Sequence, residues 1–373
     1  MGLVLSGGGA RAAYEVGVLK AMYSGRCPAT QGQNPPEVFC GTGAGGFNAA
    51  VIAGRLPGQY PSPVDYLQSL WADEIPREGR MRNNRVFRRR LDTLQFLDIP
   101  FMWRRPLKSW LYWLQDFGLI VPELIGRTVK AIATLDASSW LDLSIWHDTS
   151  PMRRLISESV NLGVIRDGAN EHRPQRLLRV IATERGAGKP HIFSNADFTE
   201  EDGYAAILAS CALPIIFPSV TIKGKEYMYG GLVMQTPLQP AVDAGCTVIH
   251  LIHNEPRRAS SASEEAPSTR EALNRTLQVA LSATLERDLE SRARVNTMLD
   301  LFGKVKTEKG VDVEAYLEPG RYRRVQVHQY RPSKPVGGKA GLMDFTRPTI
   351  EAAIAAGERD AAAHDCSESG CIL

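Results

Sequence analysis

The first 55 residues repeat one short grammar twice: an apolar strand, a glycine-rich turn, then a helix. Leu3-Val4-Leu5 runs into Ser6-Gly7-Gly8-Gly9-Ala10, after which Tyr14, Val16, Val18, Leu19 and Met22 recur with helical spacing. Val38-Phe39-Cys40 then runs into Gly41-Thr42-Gly43-Ala44-Gly45-Gly46, and a second helix is predicted over 47–53. Strands that alternate with helices need crossover connections, so this order predicts a parallel sheet. The alternation returns between 176 and 255, with buried strands expected at 177–182 and 247–252. Ser268 and Glu271 form a capping box that opens a long helix to about Leu301. A late strand over 322–330 and an alanine-rich helix over 349–363 complete the reading, and residues 257–268 read as an exposed loop.

Composition sets the class. The 373 residues are 43% hydrophobic, and 44 Lys and Arg face 41 Asp and Glu. That profile excludes wholesale disorder and gives no global reason to expect a nucleic-acid partner. The six cysteines (27, 40, 211, 246, 366 and 371) contain no CxxC, which suits free thiols in a reducing compartment better than a disulfide frame or a zinc site. Neither metal nor cofactor is expected. No basic stretch precedes an apolar segment at the start, so no secretory signal is read there. Gly2 with Ser6 fits a loose acylation pattern, but a buried first strand accounts for the same residues. The uncharged run 203–222 holds Pro214 and Pro218 and reads as packed turns rather than a membrane span. The expected location is cytoplasmic, with peripheral membrane contact as an option.

Residues 56–147 differ from the rest. All six tryptophans lie between 71 and 146, and the stretch 77–108 carries ten Lys and Arg against three acidic residues. This reads as a helical cap insertion. Its basic, aromatic part (77–117) has two readings: a cap that packs its aromatics on the core, or a surface for anionic lipid.

The two glycine turns carry the chemistry. In Gly7-Gly8-Gly9, consecutive backbone amides can converge unobstructed, beside the positive end of the next helix, to hold an oxyanion or a phosphate. The spacing matches neither a P-loop nor a dinucleotide turn. Gly41-Thr42-Gly43-Ala44-Gly45 has the strand–turn–helix context of a nucleophile elbow, with glycine where the serine would stand.

With these two turns go DTSPMRRLI (148–156), ALPIIFPSVTIKGKEYMYGGLVMQTPL (212–238) and LMDFTRPTIEAAIAAG (342–357). Together they resemble the patatin-like phospholipase family over nearly the whole chain. The resemblance implies a single three-layer α/β/α domain (1–373) with a mostly parallel central sheet and a helical cap. It further implies a Ser–Asp dyad in which the glycine turn supplies the oxyanion hole, the elbow serine attacks an ester carbonyl, and an aspartate before Gly-Gly acts as base. Carried over residue by residue, Gly7, Gly8 and Gly9 match the oxyanion turn, Arg11 its basic residue, and Ala44 the position after the nucleophile. The serine falls on Gly43 and the aspartate on Tyr229.

Both catalytic positions therefore lack the required group. Glycine has nothing to attack with, and a phenol with an ordinary pKa near 10 is a poor base at neutrality. Loss of both members points to natural degeneration rather than one engineered replacement. Thr42, Cys40, Cys211 and the His250/His253 pair are read as packing, and Asp148 as a helix cap. Tyr229 either fills the vacated space or offers its hydroxyl to a ligand. The expectation is a family member without ordinary esterase activity that binds an acyl or lipid-like ligand. The alternatives are a cleft rebuilt for another reaction or an unusual nucleophile, and a non-catalytic interaction scaffold.

Overall fold

The computed structural model describes residues 1–56, 58–76, 84–90, 106–134, 146–168, 176–256, 269–313, 322–338 and 340–373. The strands are β1 (Gly2–Leu5), β2 (Val38–Thr42), the two-residue β3 (Arg88–Arg89) and β4 (His147–Asp148), β5 (Leu177–Glu184), β6 (Lys189–Ser194), β7 (Val220–Ile222), β8 (Lys225–Tyr229), β9 (Val248–Ile252) and β10 (Gln326–Tyr330). The helices are α1 (Ala13–Tyr23), α2 (Ala44–Ala53), α3 (Pro63–Ser69), α4 (Pro106–Thr134), α5 (Ser150–Ser159), α6 (Leu162–Asp167), α7 (Gly203–Cys211), α8 (Leu238–Asp243), α9 (Thr269–Lys309), α10 (Arg347–Ala362) and α11 (Cys366–Ser369).

The central sheet runs β10-β9-β1-β2-β5-β8-β7, with β6 on the other edge of β5. The pairs from β10 to β5 are parallel, and β6, β7 and β8 join antiparallel. Strand periodicity sorts the core into two layers. Leu3, Leu5 and Phe39 face a cluster shared with α1, α2, α5, α7 and α10, whereas Val4, Val38 and Cys40 face a second cluster with α8 and Leu289 of α9. The result is the expected α/β/α sandwich, and β1 and β2 are buried throughout, as strands covered on both faces must be.

Helix α1 buries nine of its eleven residues because it is wedged between the sheet and α10. Gly17 and Gly357 allow that wedge: a Cβ on Gly17 would strike the Ile354 carbonyl, and one on Gly357 the Tyr14 carbonyl.

Three expectations shift. The stretch 203–222 is not all turns: α7 occupies Gly203–Cys211, because Ala205, Ala206 and Ala209 favour a helix until Pro214 forbids its continuation. The long helix α9 runs past Leu301 to Lys309, and the late strand begins only at Gln326. Ser268 and the loop 257–268 lie outside the described residues, as does much of 56–147. The described part of that insertion holds α3, α4 and the β3–β4 ribbon. There Arg88 makes a fork to both oxygens of buried Asp116, 2.7 Å each, and Arg85 binds Glu74 and Glu158. The bond to Glu158 of α5, and a 3.3 Å ion pair from Arg88 to Asp148, tie the insertion to the domain, whereas the Asp116 fork braces the insertion internally. Among the described residues, no helix is long and apolar enough to cross a membrane.

Candidate functional site

The chain after β1 crosses to β2 on one side and the chain after β9 to β10 on the other, so a crevice opens beyond the carboxyl ends of these strands. The segments that follow β1, β2 and β9 meet there. Gly7, Gly8, Gly9, Gly43, Ala44 and Tyr229 all line one cavity of about 70 Å³. The sequence-predicted residues are thus brought together, apart from Arg11. That residue reaches the site through Glu255, a wall residue, with a 2.9 Å ion pair.

Gly43 sits at the turn between β2 and α2 with φ 59° and ψ −129°, a conformation that strains any residue with a side chain. The elbow geometry is therefore present with a glycine at its apex. Its N–H donates to Ser210 Oγ at 2.8 Å, and Ser210 donates onward to the Ile181 carbonyl at 2.5 Å.

Tyr229 reaches this apex through strand register. β6 holds one edge of β5. On the other edge β2 pairs with Leu177–Ile181, and β8 takes over at Ala182, opposite Tyr229. The tyrosine therefore begins where Thr42 ends, and its ring lies over both glycine turns. A Cβ on Gly43 would come within 2.6 Å of Tyr229 Cε2, and one on Gly7 would strike the phenolic oxygen. The hydroxyl donates to Gln235 Oε1 at 2.8 Å, and Gln235 Nε2 donates to the Gly7 carbonyl at 2.6 Å. Burial pushes the phenol's pKa upward despite the bond to Gln235, so the ring is neutral and its proton is directed at the protein's own amide.

Behind the glycine turn lies a polar chain that sequence reasoning missed. Trp71 Nε1 donates to Asn48 Oδ1 at 2.7 Å, Asn48 Nδ2 to Glu15 at 2.8 Å, and Asn254 Nδ2 to both Glu15 and the Ser6 carbonyl at 2.8 Å. Asn254 packs so closely that a Cβ on Gly8 would meet it at 2.6 Å. Burial raises the Glu15 carboxyl to about 8, with the Asn48 and Asn254 amides pulling the other way.

The remaining wall is apolar. Phe47, Trp71, Ile75, Met152, Leu155 and Phe345 belong to it, and the Trp71 and Phe345 rings stack with centroids 6.4 Å apart. Cys211 also lines the cavity, but burial pushes its thiol up to about 12. Thr42 donates to the Met234 carbonyl at 3.0 Å, and Cys40 is buried in β2. Asp148 is not the expected helix cap: Thr149 holds that position, and Asp148, one residue ahead of it, accepts from the Ser150 N–H at 2.9 Å and binds Arg88. Gln235, Ser210 and the Glu15 chain carry no motif and could be found only in three dimensions.

A model of the patatin-like phospholipase family matches residues 3–242, and the chain belongs to that family. The crystal structure of VipD from Legionella pneumophila is similar at 14% identity and a TM-score of 0.40, with 96% of this chain and 65% of that one covered. The chain thus spans just under two thirds of that relative. No curated protein matches the chain.

Proposed function

We propose that this patatin-family domain binds a fatty-acyl or related lipid ligand in the crevice and lacks the family's serine hydrolase chemistry. The observation that carries this reading is the contact between Tyr229 and Gly43: a tyrosine ring stands where a nucleophile's side chain would start. What remains is a mainly apolar slot of about 70 Å³ beside the glycine turn, which suits an oxygen-bearing head and the first carbons of an acyl chain, with the rest of the tail beyond the slot. Cys211 is a poor substitute nucleophile, because a buried thiol raised to about 12 holds almost no thiolate at neutral pH. Lipid-surface contact through 77–117 belongs to the same reading, supported by the exposed Leu114 and Phe117 of α4.

The test pairs binding with turnover. The wild-type chain should bind a fluorescent long-chain fatty acid, a Leu155→Trp variant that fills the slot should not, and the wild type should leave short-chain nitrophenyl esters intact. The Gly43→Ser/Tyr229→Asp double variant should acquire measurable hydrolysis, which neither single variant shows. Brisk hydrolysis by the wild type would falsify the reading.

A further inference from the structure

At the β10 edge of the sheet, away from the crevice, the fold brings one strand residue against three side chains from a single short segment about 40 residues further along the chain. His328 comes from β10, and His364, Cys366 and Cys371 come from the chain after α10. One ligating atom of each lies within 4.8 Å of every other. Cys366 Sγ is 3.3 Å from His328 Nδ1 and 3.5 Å from His364 Nε2, and Cys371 Sγ is 3.6 Å from His364 Nε2. A tetrahedral zinc with Zn–S of about 2.3 Å and Zn–N of about 2.0–2.1 Å holds its ligand atoms roughly 3.3–3.8 Å apart. Three of the six donor pairs stand at that spacing, and the remaining pairs lie within 4.8 Å, a contraction of about an ångström at most from a closed coordination shell. We propose that His328, His364, Cys366 and Cys371 form a Cys2His2 zinc site that fastens the C-terminal segment to the last strand.

The backbone around the four residues is shaped for this. Asp365 caps α11 by accepting the Ser367 N–H at 2.8 Å. Gly370, at φ 71° and ψ 33°, then turns the chain back so that Cys371 faces Cys366. Val327 and Ile372 exchange two backbone hydrogen bonds, at 2.7 and 2.9 Å, which sets Cys371 beside His328.

The surrounding groups also orient the donors. Gln329 N–H donates to Cys371 Sγ at 3.3 Å and holds the sulfur in place. His364 Nδ1 faces Ser369 Oγ at 3.3 Å, which leaves Nε2 for the metal. Rings brace both histidines: His328 stacks on His250 with centroids 4.9 Å apart, and His364 lies against Tyr330 at 4.5 Å. Two thiolates and two imidazoles select zinc over magnesium or calcium. Four protein ligands leave no position for substrate, so the role is structural. A Cys366–Cys371 disulfide is the competing use of the same sulfurs, but it gives no reason for imidazole nitrogens to converge on both of them.

The full chain, purified without a histidine tag, incubated with a zinc salt and desalted, should carry about one zinc per chain by elemental mass spectrometry. The Cys366→Ser/Cys371→Ser variant should carry less than about a tenth of that. Refilled with cobalt(II), the wild type should show the visible bands of tetrahedral thiolate coordination. Cys366 and Cys371 should resist alkylation in the native wild type until a chelator is added, a readout that needs no variant to fold. Three results would each overturn the proposal: a wild type that retains no zinc, an undiminished load in the double variant, or a Cys366–Cys371 disulfide in the zinc-treated protein.

Discussion

The ring of Tyr229 occupies the space into which any side chain at Gly43 must project, with 2.6 Å between Tyr229 Cε2 and a Cβ built on Gly43. The two positions that the family resemblance assigns to nucleophile and base are thus coupled sterically. A residue at 43 needs a smaller residue at 229.

That coupling is measurable. Overpacking costs about 1–3 kcal/mol, so Gly43→Ala should destabilise the wild type by that much more than it destabilises a Tyr229→Ala background. Urea unfolding of the four chains in a double-mutant cycle gives the difference. The positive φ of Gly43 penalises alanine in both backgrounds and cancels.

Gln235 bridges Tyr229 and the Gly7 carbonyl. Gln235→Leu leaves a buried hydroxyl and a buried carbonyl without those partners. The expected loss is on the order of 2 kcal/mol, read as a lower urea midpoint. An unchanged midpoint would mean that water replaces the amide.

Glu15 gives a pH signature. Its folded pKa of about 8 lies above the ordinary 4.5, so the folded state holds the proton more tightly than the unfolded state. Its contribution to stability is fully present below pH 4.5 and is lost as pH rises to about 8. Relative to Glu15→Gln, the wild type should weaken progressively across that window. Parallel unfolding curves for the two chains over the same range would exclude a buried protonated carboxyl.

Cys211 tests whether a thiol has replaced the missing serine. With its pKa at about 12, only about one molecule in ten thousand carries the thiolate at pH 8. Peptide mapping after iodoacetamide treatment should find Cys211 unmodified in the native protein and modified after unfolding. Rapid native labelling would revive a cysteine mechanism.

Arg88→Met removes the fork to Asp116 that joins β3 to α4. The expected cost is on the order of 2 kcal/mol, with faster cleavage in the 84–134 region under limited proteolysis. Unchanged cleavage would show that apolar packing alone seats α4.

The strand–turn–helix units were legible because each is local: an apolar run, glycines that free the backbone, and an apolar repeat at helical spacing. β1, β2 and α1 fall where that pattern puts them, while α2 starts three residues early, at Ala44, because the turn closes within Gly43 and leaves Gly45 and Gly46 to the helix. Gly43 and Tyr229 stood out because each breaks a motif whose other members are present. What could not be read is what depends on distant partners. Nothing near Gln235 marks it as the link to Gly7, and nothing near Gly17 announces that Gly357 will cross it. The same holds for the four residues around Cys366. Their spacing shows no zinc motif, because β10 supplies one ligand and a turn after α10 supplies the other three.

The way β8 continues the edge of β5 that β2 leaves open has an evolutionary corollary. Residue 229 meets residue 43 through ladder hydrogen bonds rather than through a pliable loop, so the socket keeps its dimensions whatever side chains are plugged into it. On the function proposed above, a domain wired this way sheds a reaction, or regains one, by exchanging two plugs while the surrounding scaffold stays still.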